Sequence, residues 1–180
     1  QVEYGLTTSY GSQTSENATL MTSHNEILSS LQAGTLYHYR VRSRDASGNL
    51  AVSLDNTFTT LPAPDTQAPN AIANLSTSNV QINSFTLSWT APADPPTGGN
   101  VASYDLRYAA NSITAANFAS ANQATGEPAP AAPGLSQSYI LAGLSPATTY
   151  YVAIVSRDAA GNISALSNVV AATTAAAPDT

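Results

Sequence analysis

The chain contains no cysteine, so it has neither a disulfide framework nor a zinc-thiolate site. It contains no lysine either: five arginines stand against eleven carboxylates, for a net charge of −6. That balance excludes nucleic acid and anionic membrane surfaces as partners, because both demand clustered cationic side chains. Charged residues make up 9% of the 180, far below the roughly 25% of an ordinary soluble domain, and Ser, Thr, Asn and Ala take their place. No apolar run approaches the ~20 residues that cross a bilayer as a helix, so membrane insertion is not expected. No segment sustains a helical period, which leaves strands and turns to build the fold.

What is present is a repeat. Leu31-x-x-Gly34-Thr35-x-Tyr37 followed by Ser43-Arg44-Asp45-Ala46-Ser47-Gly48-Asn49 recurs as Leu144-x-x-Ala147-Thr148-x-Tyr150 followed by Ser156-Arg157-Asp158-Ala159-Ala160-Gly161-Asn162, at a constant offset of 113 residues. Pro64-Asp65-Thr66 recurs as Pro178-Asp179-Thr180 at an offset of 114. This period is close to the ~100 residues of an immunoglobulin-like sandwich. Inside each copy, apolar residues alternate: Phe85, Leu87, Trp89, then Tyr104, Leu106, Tyr108, then Tyr150, Val152, Ile154. Alternation of this kind predicts strands with one buried face. Asp94-Pro95-Pro96, Gly98-Gly99-Asn100 and Ala160-Gly161-Asn162 read as the turns between them. The fold expected is all-β, antiparallel and layered.

Ala68-Pro69, Leu75, Ser88-Trp89, Tyr104 to Tyr108 and Leu144-Ser145-Pro146-x-Thr148-x-Tyr150-x-Val152 together resemble the fibronectin type III family. The resemblance implies tandem immunoglobulin-like β-sandwiches, with Trp89 at the core. It also implies that Tyr150 and Tyr37 are corner tyrosines whose hydroxyls bond back to the main chain. Residues 69–174 read as a complete module, 61–68 as a proline-rich linker, and 175–180 as the start of the next linker. Residues 1–60 match only the later part of the module, since Val2-Glu3-Tyr4 aligns with Leu106-Arg107-Tyr108, so the first two strands are expected to be missing there. This first stretch resembles the variant found in bacterial secreted proteins, where it is a non-catalytic appendage. Pro62, Pro64 and Pro69 favour an extended, semi-rigid connection. Ends that fall within the repeat are those expected of a window on a longer array.

Candidate sites are few. The chain has two histidines, His24 and His38. A metal centre would need two or three converging ligands, and His38, between Tyr37 and Tyr39, is expected to face solvent. No nucleophile-elbow motif accompanies the Ser, His and Asp present, so no catalytic residue and no cofactor is assigned. The loops holding Arg44, Asp45 and Asn49, and Arg157, Asp158 and Asn162, are the candidate interaction sites. In each, the Asp side chain is expected to cap the turn while Gly supplies a positive φ. One Asp per loop is too few oxygens for calcium, which takes six to eight, so no metal site is expected. Asn17-Ala18-Thr19, Asn74-Leu75-Ser76 and Asn162-Ile163-Ser164 fit the glycosylation sequon, as chance matches would in so Asn-, Ser- and Thr-rich a chain.

These features point to a non-catalytic spacer in an extracellular or cell-surface multidomain protein, with neighbouring modules of the same polypeptide as its partners. Two alternatives stand beside it. One is an adhesive module that binds glycans or proteins through the paired loops or the outward Tyr151, and the other is a fibre subunit completed by a strand from another copy.

Overall fold

The computed structural model describes residues 1–178. The chain divides into two compact units, Gln1–Pro64 and Asp65–Thr180, and the division falls inside the segment expected to be the linker. Among the described residues no helix is long and apolar enough to cross a membrane.

Unit 1 is a single antiparallel sheet among the described residues. Its strands are β1 (Val2–Gly5), β2 (Ser12–Gln13), β3 (Leu36–Arg44), β4 (Leu50–Val52) and β5 (Asn56–Thr59), in the order β2-β1-β3, with β4 and β5 both pairing β3. They share that edge because β5 pairs Leu36–Tyr39 while β4 pairs Arg42–Arg44. Tyr37 is the buried hydrophobic side chain of the unit, stacked on Phe58 with centroids 5.6 Å apart. Val41 shares the strand parity of Tyr37, yet it is 43% exposed. It stays open because, among the described residues of the unit, no second sheet lies across it. On the opposite parity, Arg40 and Arg42 both donate to the Glu3 carboxylate, Arg40 through Nε and Arg42 through Nη1 at 2.9 Å. Their strands are in register, with Glu3 opposite Arg40. His38 is not simply turned to solvent, since its Nδ1 lies 2.8 Å from Asp55 Oδ2. His24 contacts the Met21 carbonyl through Nε2 at 2.9 Å.

Unit 2 is a two-layer antiparallel sandwich. One sheet runs β11 (Asn122–Gln123), β10 (Ser103–Ala109), β13 (Thr149–Arg157), β14 (Val170–Thr173), and the other runs β12 (Ser136–Ala142), β7 (Ser84–Thr90), β6 (Ser76–Ser78). A short hairpin pairs β8 (Ala93–Asp94) with β9 (Gly99–Asn100). The alternating residues meet between the layers: Phe85, Leu87 and Trp89 from β7, Tyr104 and Leu106 from β10, Leu141 from β12, Val152 and Ile154 from β13. Burying each of the large ones contributes ~1.5–3 kcal/mol, and this fixes the register, because a slip of one residue would turn every one of them to the opposite face.

β13 departs from simple alternation, for Ala153 and Val155 are buried as well. They pair with Arg107 and Asp105 and so share their face. Arg107 packs on the Phe118 ring at 5.3 Å and donates to the Ala119 carbonyl through Nη1. The segment between β10 and β11 therefore lies over part of the outer face.

The corner tyrosines are present in both units. The Tyr37 hydroxyl accepts from the Gln32 amide at 3.0 Å and the Tyr150 hydroxyl from the Ser145 amide at 3.1 Å. Each corner is closed by a threonine hydroxyl, Thr60 or Thr174, accepting from the Thr35 or Thr148 amide at 2.9 and 3.0 Å.

Candidate functional site

The two candidate loops have nearly the same internal geometry. In the first, Asp45 Oδ1 accepts from the Ser47 and Asn49 amides at 2.9 and 2.8 Å, and Asp45 Oδ2 accepts from Asn49 Nδ2 at 2.7 Å. In the second, Asp158 Oδ1 accepts from the Asn162 amide at 2.8 Å and Oδ2 from Asn162 Nδ2 at 2.7 Å. Gly48 and Gly161 sit at φ +83° and +95°, where a side chain would be strained. These bonds stabilise the ionised carboxylate. Hydrogen bonds from Asn49 hold the Asp45 carboxyl below its usual range. For Asp158, burial pushes upward, and the bonds from Asn162 outweigh it, leaving a net lowering.

The surroundings of the two loops differ. Asp45 is exposed, whereas Asp158 is 4% exposed. Arg44 reaches the Gly48 carbonyl at 3.2 Å and Glu16 at 3.5 Å, and it lines an open depression of about 240 Å³ with Arg42, Gln13 and Leu50. Arg157 makes no ion pair among the described residues. Asn162 Nδ2 also donates to the Asp65 carbonyl at 3.2 Å, so the side chain of this third sequon is occupied within the fold.

Asp158 does not stand alone. Carboxylate oxygens of Asp65, Asp94 and Asp158 lie within 4.8 Å of one another. Two contacts carry the start of unit 2 to this place: the bond from Asn162 to Asp65, and the Asn70 amide donating to the Ala93 carbonyl at 3.0 Å. Asp158 is the one Asp of its loop, and the other two carboxylates come from elsewhere in unit 2. A segment that reads as linker, a two-residue strand and the loop after β13 each bring one carboxylate to the same point. Asp65 and Asp94 carried no signal of this in the sequence, where one reads as linker punctuation and the other as part of a proline turn. Burial, followed by the charges of Asp158 and Asp65, raises the Asp94 carboxyl above its usual range.

The family model described as Fibronectin type III domain matches residues 68–173. Chitinase A1 of Niallia circulans is 35% identical over 88% of this chain, and Endoglucanase B of Cellulomonas fimi 37% over 82%. The chain spans only 20% and 13% of those relatives. A crystal structure of titin domains aligns with 78% of this chain and 41% of its own, at 18% identity and a TM-score of 0.49. With more than half of its length matched by that family model and its second unit folded as a two-layer antiparallel sandwich, the chain belongs to the fibronectin type III domain family.

Proposed function

We propose that this chain is a non-catalytic spacer in an extracellular multidomain protein, in which fibronectin type III modules separate or present working domains. The observation that carries this reading is the duplication. Corner tyrosine, closing threonine and Asp–Asn loop recur from one unit to the other with nearly the same bonds, and in both loops the Asp and Asn side chains are spent on their own turn. Groups committed to turn geometry serve architecture. Unit 1 is read as the later part of the same module, since its β1, β3 and β5 repeat the pairing of β10, β13 and β14.

Similarity to a chitinase and an endoglucanase, each several times longer than this chain, supports an accessory position beside a polysaccharide-degrading domain. Small-angle scattering from the full chain tests the spacer reading: two resolved units are expected, and a single collapsed particle would sink it. A glycan array separates the adhesive alternative, because a specific hit lost on changing Arg44 or Arg157 would favour binding over spacing.

A further inference from the structure

We propose that Asp65, Asp94 and Asp158 form a divalent-cation site, of calcium type, that fastens the first residue of unit 2 onto its sandwich. The cluster alone would not carry this, because acidic groups often gather at turns. The second observation is Asp94 itself. It is 9% exposed, its Oδ1 is buried without a hydrogen-bond partner, and among the described residues no donor reaches either of its carboxylate oxygens. A buried carboxylate with neither donor nor cation is costly unless something compensates it, and none of the ion pairs among the described residues includes Asp65, Asp94 or Asp158.

The chemistry of the donors selects the ion. Every candidate ligand is a carboxylate oxygen, which suits a hard cation rather than zinc or copper. Oxygens on opposite sides of calcium stand about 5 Å apart, and the three carboxylates, within 4.8 Å of one another, fit inside that span. Three carboxylates offer up to six oxygens, and water completes the sphere. Asn162 holds the site from the side, with its Nδ2 on both the Asp158 carboxylate and the Asp65 carbonyl. The first loop is a built-in control, since Asp45 has the same turn and, among the described residues, no carboxylate cluster.

The test is a calcium chloride titration of the full chain after chelator treatment, followed by NMR amide shifts and by thermal unfolding. Saturable shifts at Asp65, Asp94, Asp158 and Asn162, none at Asp45 or Asn49, and a higher midpoint for unit 2 are expected, with magnesium weaker. Asp94→Asn should weaken calcium binding at least tenfold while leaving the chelated protein no less stable than the parent, because it removes an uncompensated charge. Asp65→Asn, at the start of the unit, should weaken binding with the fold intact. The site is refuted by shifts absent up to millimolar calcium, by equal shifts around Asp45, or by unchanged affinity in Asp94→Asn.

Discussion

The ring of Trp89 meets the ring of Tyr104 edge to face, with centroids 5.3 Å apart and planes at 84°. The pair joins β7 of one sheet to β10 of the other. Truncating Trp89 removes both the buried surface and this contact. Trp89→Ala is therefore expected to cost ~3–5 kcal/mol, read as a fall in the denaturation midpoint of unit 2. An unchanged midpoint would place Trp89 outside the core.

The two corner tyrosines offer a paired measurement. Tyr150→Phe removes the acceptor of the Ser145 amide, and Tyr37→Phe that of the Gln32 amide. Each is expected to cost about 1 kcal/mol, the usual net value of one such bond. Denaturant titration checks it, and a loss near zero in both would show that water replaces the hydroxyl freely.

Gly34 and Ala147 occupy equivalent corners, at φ +60° and +49°, and donate to the Leu61 and Ala175 carbonyls at 2.8 and 3.1 Å. Alanine in that conformation is strained by roughly 1–2 kcal/mol, offset in part by the greater chain freedom of glycine when unfolded. Ala147→Gly should raise the stability of unit 2, and Gly34→Ala should lower that of unit 1. Calorimetry that finds either sign reversed would contradict the corner assignment.

Unit 1 carries a pH dependence. The bond from Arg40, then the charge of Arg40 and the bond and charge of Arg42, hold the Glu3 carboxyl below the usual glutamate range against a smaller opposing effect of burial. A group whose folded pKa is depressed stabilises the fold above its unfolded pKa, and that contribution disappears as pH falls through the folded value. The midpoint difference between the parent and Glu3→Gln should therefore be full near neutrality and close on acidification below the ordinary glutamate pKa. A difference that is flat from neutral pH down to strongly acid conditions would overturn the assignment.

Much of this was legible because it is local. Alternation of Phe85, Leu87 and Trp89 with polar neighbours specifies a strand and its inward face, and all three are in the core. Glu3 alternates with Val2 and Tyr4 and lies on the same face as Arg40 and Arg42. Where alternation misled, the cause was the presence or absence of a further layer of chain. Ala153 and Val155 are buried on the face where Arg107 holds the segment carrying Phe118, and Val41 is exposed because no second sheet covers it among the described residues.

The order of the residues by itself determined the strand pattern, the repeat, the corner tyrosines and the capped Asp–Asn turns, since each depends on groups a few positions apart whose geometry follows from backbone periodicity and side-chain reach. Only the tertiary structure decided that Asp65, Asp94 and Asp158 share one point. Their meeting requires the segment after Pro64 to dock along β8 through Asn70 and to be held by Asn162. Such docking follows from the folding of the whole sandwich, and the spacing of three aspartates along the chain carries no trace of it.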